Sequence, residues 1–86
     1  MKLAVEISMY PLQSDYLHPI KWFIERLKDY PEITRKTNGM STQVMGDYDV
    51  VMQLLSTEMK SAHEKWGKGI FVCKFIPGGV NLDHAE

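Results

Sequence analysis

Few side chains in this sequence could do chemistry, and they are spread along the chain. His18, His63 and His84 fall in different segments, and none has metal-ligand spacing to another histidine or to a cysteine. His63, beside Glu64, is predicted to lie on a solvated helix face. Cys73 is the only cysteine, which excludes an intrachain disulfide and a cysteine-based zinc cluster. On a strand it is predicted to be a small buried hydrophobe, so the sequence carries no catalytic signature.

The densest polar patch is the run Thr37-Asn38-Gly39-Met40-Ser41-Thr42-Gln43. Two interpretations of it stay open. In the first, the patch is a hairpin whose side-chain donors and acceptors satisfy the turn. In the second, it is a hydrogen-bonding rim for a small heteroaromatic ligand, stacked on an aromatic side chain. The candidates for stacking are Tyr10, Trp22, Tyr48 and Trp66, although helical spacing favours a core position for Trp66.

A strand and a helix are predicted in the first third of the chain. Residues 3–9 alternate apolar and polar side chains, which is typical of a strand with one apolar face. Over residues 14–30 the period changes to that of a helix, with Pro19 in or near its first turn. Whether Asp15 or His18 caps this helix stays open. The predicted apolar stripe consists of Ile20, Phe23, Ile24 and Leu27.

The rest of the chain predicts a hairpin, a long helix and a final strand. Residues 33–37 and 40–45 are the hairpin strands, and Asn38-Gly39 is a tight-turn signal because both residues tolerate positive φ. Asp47 is a good N-cap for the helix that follows. Residues 70–76 form the last and most apolar strand. The buried stripe of the helix is predicted to be Tyr48, Val51, Met52, Leu55, Met59, Ala62 and Trp66.

The element order, strand-helix-strand-strand-helix-strand, matches the split βαβ arrangement. We therefore predict an α+β, ferredoxin-like βαββαβ sandwich, with a four-stranded antiparallel sheet and two helices on one face. Residues 1–79 are expected to form this single domain. Residues 80–86 are expected to be a frayed C-terminal tail.

Helices on one side leave the other side of the sheet open, and the side chains there are informative. We place Lys74 on the open side, since burial under a helix would leave its charge unpaired. This predicts an open face made of Glu6, Ser8, Tyr10, Ser41, Gln43, Met45, Ile70, Val72, Lys74 and Ile76. Such a mixed surface is typical of a subunit interface or a pocket. Alternatively, Glu6 and Lys74 form a cross-strand surface ion pair of little energetic weight.

Composition bounds the function further. The 10 Lys and Arg residues are scattered and are offset by 11 Asp and Glu, for a net charge of -1, so nucleic acid is not an expected partner. Neither a signal peptide nor a membrane-inserting segment is expected, and the predicted location is the cytoplasm. A chain of 86 residues buries only about 60–65% of its unfolded surface, which favours help from a partner chain.

Several segments together resemble the YkoF-type family of thiamine and hydroxymethylpyrimidine binding proteins. They are Glu6-Ile7-Ser8-Met9-Tyr10-Pro11-Leu12, Phe23-Ile24-Glu25-Arg26-Leu27, the block from Thr37 to Tyr48, and Val72-Cys73-Lys74-Phe75. The resemblance runs from Glu6 to about Gly79, and Met40-Ser41-Thr42 followed by Gly46-Asp47 is its most specific part. It implies a ferredoxin-like fold, which in some members occurs twice in tandem. Because this sequence has one copy, it implies a homodimer, or a dimer of dimers, assembled through the open sheet face.

The resemblance also implies a ligand, thiamine or its hydroxymethylpyrimidine moiety, bound rather than transformed, with no other cofactor. An aminopyrimidine presents hydrogen-bond donors and acceptors, and the thiazolium ring is a cation that a carboxylate or an aromatic face favours. The expected ligand-binding residues are Glu6, Ser8, Tyr10, Asn38, Met40, Ser41, Thr42, Gln43 and Lys74.

Two alternatives belong to other functional classes. One is an ACT-like regulatory module that binds an amino acid at a dimer edge. The other is a small dimeric enzyme of the same fold, which needs Glu6 or His18 in a pocket between sheet and helices.

Overall fold

The chain folds into one antiparallel sheet of four strands with two helices on one face, in a computed structural model that describes residues 1–83. The elements are β1 (Lys2–Pro11), α1 (Leu17–Leu27), β2 (Thr34–Thr37), β3 (Thr42–Asp47), α2 (Tyr48–Trp66) and β4 (Gly69–Pro77). The strand order is β2-β3-β1-β4, so β1 and β3 are central and β4 lies beside β1. The predicted ferredoxin-like α+β fold is confirmed. Within residues 1–83, neither helix combines the length and apolar character that a membrane crossing needs.

The core lies between the sheet and the helices, and β1 contributes to it with every second residue. Leu3, Val5 and Ile7 are buried there, as the alternation predicted. They pack with a group from the other elements: Phe23, Leu27, Val44, Val51, Leu54, Leu55 and Ala62. Pro19 is buried in the first turn of α1, where its missing N–H costs no helical hydrogen bond.

The start of α1 has no side-chain cap in the strict sense, since Tyr16 occupies the N-cap position. The Asp15 carboxylate lies next to it and accepts hydrogen bonds from the His18 backbone N–H (3.4 Å) and the His18 ring (2.8 Å). The hydrogen bond from the ring lowers the pKa of Asp15 below its ordinary value. Of the two residues considered as caps, Asp15 is therefore the acceptor at this helix end.

The buried face of α2 differs from the predicted stripe. Met52 and Met59 are exposed, whereas Leu54 and Glu58 are buried. The buried positions still follow the i, i+3, i+4 spacing, but the stripe passes through a charged residue. A carboxylate normally lies on the solvated side, so the sequence pattern placed the stripe on the methionines instead.

Glu58 is buried because groups at the end of α1 satisfy its carboxylate. Arg26 donates from Nε to Oε1 (2.7 Å) and from Nη2 to Oε2 (3.3 Å), and the Tyr30 hydroxyl donates to Oε2 (2.6 Å). The carboxylate raises the pKa of Arg26. Burial, and then the hydrogen bond to Glu58, raises the pKa of Tyr30 to about 12. The network ties the end of α1 to the middle of α2.

The β2–β3 connection is a wider loop than the predicted two-residue turn. Neither Asn38 nor Gly39 has positive φ, and β3 begins at Thr42 rather than at Met40. The loop covers residues 38–41 and is closed by Asn38. Its N–H donates to the Ser41 carbonyl (3.0 Å), and its Oδ1 accepts from the N–H groups of Met40 (2.8 Å) and Ser41 (3.1 Å). The asparagine side chain, and not a left-handed backbone, makes this turn.

Candidate functional site

The open face of the sheet carries the side chains that point away from the helices. Glu6 is at its centre, with Lys74 of β4 as its Cα partner on one side and Gln43 of β3 on the other. On β4, Ile70, Val72 and Ile76 are about half exposed. This is the outward set predicted for the last strand.

The opposite side of β4 faces the helices. The Phe71 ring packs against Phe23 with centroids 5.2 Å apart, and Cys73 packs against the core. Burial raises the pKa of the Cys73 thiol, in agreement with the predicted small hydrophobe. Phe75 alternates with Lys74 on this strand and is about half exposed at the edge of the sheet.

The side chains of Ser41 and Lys74 contact the Glu6 carboxylate on the open face. The Ser41 hydroxyl donates to its Oε2 (3.0 Å), and the Lys74 ammonium lies 3.7 Å from its Oε1. The Lys74 side chain is 81% exposed and that of Glu6 37% exposed, so the ion pair itself contributes little to stability. The hairpin loop nevertheless orients the carboxylate through Ser41.

A concave region of about 630 Å³ lies between Glu6 and the hairpin loop, and we call it the hairpin cavity. Its lining contains most of the residues that the sequence suggested for ligand binding: Glu6, Ser8, Tyr10, Asn38, Met40, Ser41 and Lys74. Gly39 and Val72 complete it. The neighbouring strands β1 and β4 and the β2–β3 loop therefore bring hydrogen-bonding groups and one aromatic ring to a single surface.

Thr42 and Gln43 are placed elsewhere. Thr42 points toward the helices, is buried, and pairs its hydroxyl with that of Thr37 at 3.0 Å. Gln43 points to the open face but lies outside the hairpin cavity. Adjacent strand residues face opposite sides of a sheet, so both could not share one site.

Of the four aromatic residues considered for stacking, Tyr10 alone lines the hairpin cavity. Trp22 and Tyr48 are partly buried and pack against the core. Trp66, at the end of α2, is partly buried too, as its helical spacing favoured. Stacking on this face therefore depends on Tyr10.

The C-terminal segment 78–83, which we call the strap, was not foreseen as part of this surface. A second concave region, of about 340 Å³, lies between the strap and the sheet, and we call it the strap cavity. It is lined by Ala4, Val5, Glu6, Gln43, Lys74, Ile76, Val80, Asn81 and Leu82. Glu6 and Lys74 line both cavities. The remainder of the tail that was predicted to be frayed, residues 84–86 with His84, lies outside the described residues.

The residues required by the enzyme alternative are not between the sheet and the helices. The His18 side chain is 74% exposed at the start of α1, where it pairs with Asp15. Glu6 lies on the opposite, open face. Within residues 1–83, no group of three or more His, Cys, Asp or Glu side chains could hold a metal ion.

Comparison with known proteins adds structural neighbours. No family model and no curated protein matches the sequence. A Thermotoga maritima protein named as a candidate thiamine biosynthesis/salvage protein superposes with a TM-score of 0.85, at 16% identity over 96% of this chain and 92% of that one. A Streptococcus pneumoniae protein gives 0.83, at 22% identity over 93% and 90%.

A third neighbour is a domain of unknown function, DUF77, from Bacillus cereus. It gives a TM-score of 0.78 at 17% identity, over 96% of this chain and 85% of that one. At these identities the three likenesses establish a shared fold.

Proposed function

We propose that this protein binds thiamine or its hydroxymethylpyrimidine moiety in the hairpin cavity, as a homodimer or a dimer of dimers formed through the open face. The observation that carries the proposal is the convergence of Glu6, Ser8, Ser41 and Tyr10 on one concave surface. The Thermotoga maritima neighbour, whose name concerns thiamine, supports the same ligand class.

The chemistry of the cavity suits an aminopyrimidine. The Glu6 carboxylate can accept from the exocyclic amino group, and the hydroxyl of Ser8 can donate to a ring nitrogen. Glu6 is already oriented by Ser41, which lowers the entropic cost of binding. The Tyr10 ring offers a face for stacking, and the same carboxylate favours a cationic thiazolium nearby.

The proposal is a binding protein rather than an enzyme. Glu6 is paired with Lys74 and Ser41 on an open surface, an environment that suits ligand recognition more than proton transfer. The proposal includes a cytoplasmic location. The free thiol of Cys73 supports this, since single unpaired cysteines are common where disulfides are kept reduced.

The side chains that the open face exposes support the proposed dimer. Tyr10, Ile70, Val72 and Ile76 are all about half exposed on it, and several exposed apolar side chains on one face are typical of an interaction surface. A second copy of the chain is the occupant we propose, packed sheet face to sheet face. The hairpin cavity would then be closed from above by the partner, which excludes water from the ligand site.

Isothermal titration tests the ligand. Wild type is titrated with thiamine, with hydroxymethylpyrimidine and with the thiazole alcohol, and Glu6→Gln is compared with Glu64→Gln, an exposed glutamate on α2. Loss of one charged hydrogen bond at a partly exposed site is worth about tenfold in affinity, so Glu6→Gln should weaken binding by about that factor. Glu64→Gln should bind like wild type.

Absence of heat with millimolar thiamine and hydroxymethylpyrimidine would refute the ligand. A thermal shift with an amino acid, under the same conditions, would point to the ACT-like alternative. Sedimentation velocity tests assembly separately, and a monomer at all accessible concentrations would refute the dimer.

A further inference from the structure

The strap crosses the open face from one edge strand of the sheet to the other. It leaves β4, and the Gly78 N–H donates to the Lys2 carbonyl of β1 (2.8 Å). The Val80 N–H then donates to the Met45 sulfur of β3 (3.3 Å), and Asp83 pairs with Lys36 of β2 (2.7 Å). One edge strand is thus connected to the other across both central strands.

The strap covers only one end of the face, as exposure along β1 shows. Ala4, Glu6 and Tyr10 all point to the open side. Ala4, at the strap end, is 3% exposed, although no helix covers it. The Glu6 side chain is 37% exposed, and Tyr10, at the hairpin end, is 55% exposed. The strap therefore covers one end of the face and leaves the other end open.

The two cavities adjoin each other, because Glu6 and Lys74 line both. Along β1, the lining runs from Ala4 in the strap cavity to Tyr10 in the hairpin cavity, and at about 3.4 Å per residue this spans roughly 20 Å. The hairpin cavity is rich in hydrogen-bonding groups. The strap cavity adds apolar walls from Ile76, Val80 and Leu82.

Resting on the proposed function, we infer that the strap cavity holds the second ring of a two-ring ligand. The aminopyrimidine occupies the hairpin cavity, and the thiazolium ring lies beneath the strap against Leu82, with the Glu6 carboxylate beside both rings. The strap is then the specificity element, since it contacts thiamine but not its pyrimidine moiety alone.

The attachment of the strap allows a ligand to enter. Gly78 and Gly79 have positive φ (95° and 82°) and make the sharp reversal after β4. Beyond them, the polar contacts of residues 80–83 to the sheet are an exposed ion pair and a hydrogen bond to sulfur, both weak. The strap can lift without disturbing the sheet, and a second ring beneath it adds contacts that hold it down.

The test compares two ligands on the full-length protein and its variants. Leu82→Ala should weaken thiamine binding about fivefold, the loss expected when a partly buried leucine no longer contacts a ring. Hydroxymethylpyrimidine binding should stay within twofold of wild type. Leu12→Ala, an exposed leucine outside both cavities, is the matched control and should change neither affinity. Asp83→Asn, which frees the strap from Lys36, should lower thiamine affinity in the same direction.

The outcomes separate this inference from the proposed function. If wild type binds neither ligand, both fail. If wild type binds both ligands, and Leu82→Ala and Asp83→Asn weaken them equally or not at all, the strap inference is overturned while the proposed ligand class stands. Equal wild-type affinity for the two ligands would also overturn the strap inference, because the second ring would then make no contact.

Discussion

Truncation of Glu58 tests the buried network that joins the two helices. In Glu58→Ala, the substitution removes a carboxylate at a position that is 1% exposed. The Tyr30 hydroxyl loses its acceptor at 2.6 Å, and the Arg26 guanidinium loses both of its bonds. Unlike a surface glutamate, Glu58 has neighbours that cannot all turn to water.

The expected loss follows from those contacts. Truncation of a large buried side chain to alanine costs about 2–5 kcal/mol, and an unsatisfied hydroxyl costs about 1–3 kcal/mol. The Arg26 side chain is 41% exposed and regains hydrogen bonds to water, so its loss of Glu58 adds little to the cost. Glu58 also recovers the cost of burying its own charge, which offsets part of the loss. We expect Glu58→Ala to lower the free energy of unfolding by about 3 kcal/mol.

Urea unfolding followed by circular dichroism measures the change. About 3 kcal/mol is a large part of the stability of a domain this size and corresponds to a fall in Tm of roughly 12–24 °C. Glu58→Gln keeps a carbonyl acceptor for Tyr30 and should lose about half as much. Glu64→Gln, on the exposed side of the same helix, should be neutral. If the free energy of unfolding of Glu58→Ala lies within about 1 kcal/mol of wild type, the hydrogen bonds of the network only offset the cost of burying the Glu58 charge, and the prediction is wrong.

Three further predictions concern a tyrosine, a lysine and a glycine. Tyr30→Phe should lower stability by about 1 kcal/mol near neutral pH. In the folded protein the pKa of Tyr30 is raised to about 12, above the ordinary tyrosine value of 10.0. Wild type therefore loses stability as the pH rises from 10 toward 12, and the urea midpoints of the two proteins should converge; a constant gap would contradict this. Lys74→Glu puts a like charge opposite Glu6 and should shift the proposed dimer toward monomer in sedimentation velocity. The free energy of unfolding should fall by less than about 1 kcal/mol. An unchanged sedimentation profile would count against the interface. Gly79→Ala should lower stability by about 1–2 kcal/mol in thermal melts, because φ is 82° and the new Cβ would lie 3.1 Å from two side-chain atoms. Gly39→Ala, at a position with open space and no positive φ, should be nearly neutral. Equal melting temperatures for the two variants would contradict this prediction.

The sequence predicted the buried and exposed sides of a strand correctly where the spacing of side chains within that strand decides them. The alternation over residues 3–9 predicted which side of β1 is buried. The cost of burying the Lys74 charge under a helix predicted the outward face of β4. Together these two strands located Glu6 and most of the hairpin cavity. The sequence did not predict the start of β3 correctly. Asn38 closes the hairpin loop with its side chain, so β3 begins at Thr42.

The sequence by itself determined the order of elements, the fold class and the set of polar residues on the open face. These follow from side-chain spacing within single strands and helices. Only the tertiary structure decided that Glu58 is buried and that the strap covers one end of the open face. Each depends on groups far apart in the chain, 32 residues for Glu58 and Arg26, 35 for Val80 and Met45. The spacing of side chains within one element carries no information about a contact made by a residue of another element. A charged residue or a polar tail is therefore predicted to be solvent-exposed, although the fold brings a partner to it.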